Sequence, residues 1–535
     1  MSKTFTAAFG WIGGKVRFRA MRVGRKGGWL ALAGGVLVSG YLLLSIPESE
    51  IPIATAVSQP VRGEPFRWDQ DEVWRTLEAE MTDSRGRGCA AVRAGIEDHF
   101  REMDRRLEDL AHRSARAEEA VFGELERLTF QTAPWIPACP DRLADFSERV
   151  TRLGMEVKRQ SLHWDMGDPD VRRTLYRLLY GSRGAIEEIV LQVPPRYAPP
   201  ALIPGKEEPS ATPWAALLGI RIHSGDILVS RGGAATSALI ARGNDFPGNF
   251  SHVALVRVDP GTHLASIVEA HIERGVAVSS LEDYVRDVKL RVLVLRLRAD
   301  LAAVAADPML PHRAAEYALG QARRSPIPYD FAMDFGDPGR WFCSEVASAA
   351  YGRYGVRLWM GLSHISSAGL RRWLAGFGVR HFATQEPSDL EYDPQLAVVA
   401  EWRDLEALRA DHLDNAVTEA MLEGAESGDP LEHDAPLLPL ARLVKLYSRG
   451  LNAVGRVGPI PEGMSATAAL RYRWYTRRHE RIKAALIEAA DRFRREKGYE
   501  PPYWKLVEMA RELRCTPGGA VLQQGDTPRS GENDR

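Results

Sequence analysis

The segment RWFCSEVASAAYGRYG (340–355) places Cys343 after the turn signal Asp337-Pro338-Gly339 and ahead of a short helical pattern that ends at Gly355. A thiol at a helix N-terminus lies beside unpaired backbone N–H groups and the positive end of the helix dipole. Both favour the thiolate that nucleophilic chemistry needs. Free cysteine is also among the most buried residue types, so position alone leaves packing as the plainer reading of Cys343. A base must decide. Of the 13 histidines, His252 in NFSHVALVRV begins a strand pattern just after a loop rich in Gly, Asn and Pro. From a strand end a side chain projects into a cleft while the rest of the strand is held in the core. His364 in GLSHISSAGL, close after the cysteine, is the rival base.

Further along, SIVEAHIERGV puts Glu269, His271 and Glu273 on one face of a strand by period-two alternation, with Val268, Ala270 and Ile272 on the other. A carboxylate on a neighbouring strand would accept the second ring N–H of His252 and fix its tautomer and orientation, as a nucleophile–base–acid triad requires. The plainer reading of Glu269 is a solvent-facing strand residue, and His271 and Glu273 compete with it for the orienting role.

The elements that must position these residues occupy only part of the chain. At 535 residues and 59.4 kDa it is too long for one ordinary core. Lys+Arg 70 against Asp+Glu 71 leaves no basic excess that would point to nucleic acid. Residues 1–28 carry basic residues and no acid, as a cytoplasmic leader does, and WLALAGGVLVSGYLLLSI (29–46) is uncharged throughout. As a helix these residues rise about 27 Å, close to the hydrocarbon thickness of a bilayer. The expectation is a single uncleaved transmembrane anchor in the inner (cytoplasmic) membrane, with the bulk of the chain periplasmic. A linker (47–66), a helical region (67–192) and a Pro-rich linker (193–213) follow. The region 214–387 mixes short strand patterns with helices, without a βαβ rhythm, which argues an α+β fold. A C-terminal helical region (388–515) and a polar tail (516–535), expected to be disordered, complete the chain.

The succession SGDILVSRG, NFSHVALVRV, SIVEAHIERGV and PYDFAMDFGDPGRWFCSEVASAAY resembles the permuted papain-like amidase family, the YaeF/YiiX group of the NlpC superfamily of cysteine hydrolases, over about residues 221–385. In that family the base precedes the nucleophile, the reverse of papain's order. The resemblance implies a permuted papain-like domain with short antiparallel strands and a nucleophile helix. It implies Cys343 as nucleophile, His252 as its base and Glu269 as the residue that orients the base. Tyr329, in PYDF, falls near an aromatic position of such sites and is a candidate for positioning substrate.

The chemistry expected is acyl transfer. Cys343, its pKa lowered from about 8.5 toward the ~3.5 to 7.5 range, attacks a carbonyl carbon and forms a thioacyl-enzyme. His252 protonates the leaving group and then activates water, and the Cys343 N–H supplies an oxyanion donor. Three substrate classes stay open. A cell-wall peptide or amide is favoured by the superfamily; lipid acyl groups are moved by related permuted enzymes such as lecithin retinol acyltransferase; a non-catalytic module would bind peptide or wall fragments. No cofactor or metal is expected. The four cysteines fit no metal-ligand spacing. Asp330, Asp334 and Asp337 read as turn and cap residues rather than a calcium loop. Cys89 and Cys139, in the same helical region, are candidates for a disulfide in an oxidising compartment. RYRWYTRRHERIK (471–483) reads as a solvated helix with its aromatics turned inward.

Overall fold

The computed structural model describes residues 35, 39–48, 72–205, 207–324, 326–359, 361–454 and 456–515. The basic leader, the tail, half of the apolar run 29–46 and most of the first linker lie outside these residues. Residues 39–44 form a helical segment, and among the described residues no helix is long and apolar enough to cross a membrane.

The first helical region comprises α1 (Glu72–Arg87), α2 (Cys89–Ala111), α3 (Ala120–Thr132), α4 (Leu143–Ser161), α5 (Pro169–Tyr176) and α6 (Ser182–Gln192). Three- and four-residue steps put Val92, Ile96, Phe100, Met103, Leu107 and Leu110 on one buried stripe of α2. Phe146, Val150, Leu153 and Val157 of α4 enter the same core. Cys89 opens α2 and is joined by a disulfide to Cys139, with a Cα–Cα distance of 4.6 Å.

A seven-stranded sheet follows, in the order β1-β11-β8-β4-β5-β6-β7 with every neighbouring pair antiparallel. Its strands are β1 (Leu202–Pro204), β4 (Ile227–Gly232), β5 (His252–Val258), β6 (Ala265–His271), β7 (Gly275–Ser280), β8 (Lys289–Leu297) and β11 (Leu396–Trp402). β2 (Trp214–Leu217) and β3 (Ile220–His223) form a separate hairpin. Helix α7 (Ala235–Arg242) leaves β4, and α8 (Leu281–Arg286) leaves β7. After α9 (Ala302–Ala306), the helices α10 (Leu310–Arg324) and α11 (Cys343–Gly352) cover one sheet face, packing on Val229, Val253, Leu255, Val268 and Leu295. Two strands extend the sheet beyond the region 214–387. β1 sits in the Pro-rich stretch and β11 follows residue 387, because each run is too short for its period to distinguish strand from loop or helix until it pairs.

Beyond β9 (Ser363–His364), α12 (Ala368–Phe377), β10 (Ala383–Thr384) and α13 (Asp389–Tyr392), the C-terminal helices are α14 (Leu405–Glu426), α15 (Leu438–Ala453), α16 (Ala466–Lys497) and α17 (Tyr503–Cys515). Tyr472 and Tyr475 of α16 are buried in their shared core, the inward orientation expected for these aromatics. Buried ion pairs tie the three regions. Arg291 of β8 donates to Glu187 of α6 at 2.8 Å and to Asp411 of α14 at 2.5 Å.

Candidate active site

The turn before α11 is clasped by its own helix. Glu345 accepts the N–H of Phe342 at 3.0 Å and that of Gly336 at 2.8 Å, and its own N–H donates to the Phe342 carbonyl. Trp341 bridges Tyr329, its N–H bonding the Pro328 carbonyl at 3.1 Å, which draws the PYDF segment alongside the helix start. Asp330 accepts the N–H groups of Ala332 and Asp334, and Asp337 that of Gly339, so these acids close turns as their spacing suggests. Cys343 opens α11 at 6% exposure. As the first helical residue its N–H has no acceptor within the helix.

On the sheet, Ala254 of β5 is opposite Glu269 of β6, so His252, two residues before Ala254, is a diagonal neighbour of Glu269 on the same side. The imidazole Nε2 lies 2.8 Å from Glu269 Oε2. Ser279 Oγ donates to the other oxygen at 2.9 Å, and His271 Nε2 lies 3.3 Å from it. Glu269 is 4% exposed and is therefore no solvent-facing strand residue. Glu273 does not share its face. β6 ends at His271, which is opposite Gly275 of β7, and the intervening turn carries Glu273 away from the alternation. His271 supports the Glu269 carboxylate instead of replacing it.

Electrostatics link the two halves of the site. Burial would strip charge from His252, but its hydrogen bonds to Cys343 and Glu269 and the charges of both lift it to about 9. With Nε2 committed to Glu269, Nδ1 is the nitrogen left for the sulfur. Burial would raise the Glu269 carboxyl, yet the hydrogen bonds and charges of His252 and His271 outweigh it and hold the group well below the usual carboxylate range. His364 stands elsewhere: burial and Arg172 push it down, Asp245 opposes them, and Cys343 is not among the groups that act on it.

Two further groups feel the charge of the cysteine. Burial, then the charge of Cys343, pushes the Tyr329 phenol well above its ordinary value. Glu386, 4% exposed, is pushed well above the carboxylate range by burial, by Asp389 and by Cys343. The upward shift leaves the Tyr329 phenol with its proton at neutral pH, and burial disfavours the charged form of Glu386. Glu386 had no signal in the sequence, because an acid in TQEPSD reads as a loop residue. Among the described residues the only cluster with metal-ligand proximity is Cys89, Cys139 and Asp141, whose sulfurs are joined to each other.

Residues 221–400 match the family described as permuted papain-like amidase enzyme, YaeF/YiiX, C92 family. The matched segment contains Cys343, His252, Glu269, Tyr329 and Glu386. No curated protein and no solved structure matches the chain.

Proposed function

We propose that the chain is a membrane-tethered, extracytoplasmic cysteine hydrolase that cleaves an amide bond through a thioacyl-enzyme, with Cys343, His252 and Glu269 as its triad. The observation that carries this assignment is the imidazole of His252. It is held at 2.8 Å by Glu269 and lifted to about 9 through its contact with a thiol at a helix N-terminus. An imidazole in that place accepts the thiol proton as the sulfur attacks. The sulfur adds to the carbonyl carbon, and the carbonyl oxygen takes the charge opposite the Cys343 N–H and the hydroxyl protons of Tyr329 or Glu386. Collapse expels the amine, which takes the proton from His252. The now neutral imidazole removes a proton from water as the water attacks the thioester, and the acid leaves with Cys343 restored. Export is supported by the apolar run 29–46 and by the Cys89–Cys139 disulfide, which persists in oxidising compartments. A wall peptide is the favoured substrate.

The test is alkylation of the full chain with iodoacetamide across pH, followed at Cys343 by mass spectrometry, for wild type and His252→Ala. Fast alkylation below pH 7 that disappears in the variant is expected. Slow alkylation in both, at the rate of an ordinary thiol, would sink the Cys343–His252 pair and the triad with it. Incubation with wall peptides and with membrane lipids then separates amide cleavage from acyl-lipid chemistry, and a bound but intact peptide would mark a binding module.

A further inference from the structure

The outer face of α15 is apolar where a soluble helix is polar. Leu443, Leu446 and Tyr447 recur at positions i, i+3 and i+4, and Val454, the residue that caps the helix, stands at i+11, so the four lie within about 100° of one another around the axis. Leu446 is 65% exposed, Tyr447 62% and Val454 69%. The opposite face is fully used: Leu438, Ala441, Lys445 and Ser448 are buried against α16 and the loop that follows α15. Scattered exposed apolar residues need no explanation, but a set that shares one face over about 16 Å, with only Gly450 on it between Tyr447 and Val454, does.

What covers it is indicated by the chain that arrives beside it. Residues 41–46, the end of the uncharged run 29–46, lie against α15 with Leu42, Leu43 and Ile46 more than half exposed. Arg442 of α15 caps the carbonyl end of that helical segment, donating to Leu43 O at 3.2 Å and to Ile46 O. Tyr41 Oη donates to Pro436 O at 3.2 Å. Glu48 in turn caps the first turn of α16, accepting the Thr467 N–H at 3.2 Å and its hydroxyl. The point where an apolar run of membrane-spanning length ends is thus clamped at both sides to the helix that exposes an apolar stripe. Arg449 flanks the stripe and Arg456 follows it, the pattern of a helix that lies in a bilayer interface.

We propose that α15 is an interfacial helix whose outer face, with residues 41–46, sits in the acyl–headgroup boundary of the lipid bilayer. The seat also places the cleft. On the inner face Lys445 Nζ donates to Pro461 O at 2.6 Å and Glu462 O at 2.7 Å, and Ser448 Oγ accepts from Ile460 N at 3.0 Å. The loop so held packs Gly463 on Phe331, where a Cβ would come within 2.5 Å of the ring. Phe331 meets Tyr329 edge to face at 5.3 Å, beside Cys343. A short chain of contacts therefore joins the bilayer seat to the wall of the site, and substrate is met at the membrane surface.

The proposal rests on the membrane part of the function proposed above and not on the cysteine chemistry. The full chain is reconstituted into phosphatidylcholine–phosphatidylglycerol vesicles doped with a phosphatidylcholine that carries a diazirine in its acyl chain, irradiated, and mapped by mass spectrometry. Lipid adducts are expected on the peptide 438–457 as well as on 29–46. In Leu446→Asp/Tyr447→Asp, whose substituted positions are exposed, the α15 adducts should fall at least tenfold while those on 29–46 persist. Adducts on 29–46 alone overturn the seat and leave the anchor standing, with residues 29–38 or a second copy covering α15. Adducts on neither peptide overturn both. Adducts on α15 that survive the double variant also overturn the seat.

Discussion

In the proposed triad Glu269 acts on Cys343 only through His252, and that separation makes the assigned role measurable. With the carboxylate in place the imidazole stays protonated up to about 9, so the His252–Glu269 ion pair is present at neutral pH and is lost as pH rises through that value. In Glu269→Gln the amide holds the ring but supplies no charge. The basic limb of the kcat/KM profile should move to lower pH, and kcat/KM at neutral pH should fall about 10²- to 10⁴-fold. A uniform loss with an unmoved limb would assign Glu269 to structure alone. The linkage has the same sign for stability. A histidine raised from 6.5 to about 9 on folding contributes stability below the unfolded value and loses it as pH rises through 9, and the variant, which removes the Glu269 share of the rise but not that of Cys343, should show a weaker dependence. Tyr329→Phe and Glu386→Gln test the donors. Removing an oxyanion donor lowers kcat by about 10²- to 10³-fold with little change in KM, whereas a group that binds the ground state changes KM. Cys343, His252 and Glu269 were legible because each stands at the start of an element or on its polar face, in a fixed order. Glu386 was not, since its burial and its electrostatic coupling to Cys343 are long-range features that no local pattern records.

The element that presents the nucleophile is held by a carboxyl group, and its charge should be visible in stability. Burial raises Glu345 to about 7 despite the two backbone N–H groups it accepts, with Asp330 and Asp337 adding to the rise. A carboxyl raised on folding contributes stability below about 4.5 that is lost as pH rises through 7. Denaturant midpoints measured at pH 5 and pH 8 should therefore differ less in Glu345→Gln than in the wild type. An equal difference in both proteins would remove Glu345 from the account. At the other end of the chain, the Cys89–Cys139 disulfide closes a loop with a sequence separation of 50. By the chain-entropy argument its reduction costs about 4 kcal/mol, to be read as a lower denaturant midpoint in reductant that Cys515→Ser does not reproduce. The strand pattern of β5, the alternation of β6 and the stripe of α2 were plain in the sequence, where apolar residues recur over several positions. β1 and β11 were not. LIP and LAVVAEW become strands by pairing with each other and with β8, a tertiary preference that a short apolar run does not carry.

Across the whole molecule, the three regions share buried charges as well as apolar contacts, since Trp359, Tyr392 and Leu408 enter the core of the first helical region and Ala235 and Leu239 that of the C-terminal helices. Arg291 bridges Glu187 and Asp411, and Arg403 also reaches Glu187, all fewer than 10% exposed. Burial would raise Glu187, but the charges of Arg291 and Arg403 hold it well below the usual carboxylate range. Such a network makes the arrangement of the regions specific, because each acid removed from water is tolerated only while its partner faces it. Arg291→Met keeps the volume and removes the charge from between two buried carboxylates. It should cost about 3–5 kcal/mol, the range for breaking a buried pair from one side. Arg286→Met removes a pair whose side chains are 75% and 59% exposed and should change stability by no more than about 0.5 kcal/mol. The contrast is read from denaturant midpoints followed by far-ultraviolet circular dichroism and by alkylation of Cys343. If the network couples the regions, Arg291→Met exposes Cys343 at the same lowered denaturant concentration at which the helices melt. If the helices melt early while Cys343 stays protected, the sheet with its site folds independently of the helical region, and the buried charges only join two finished units.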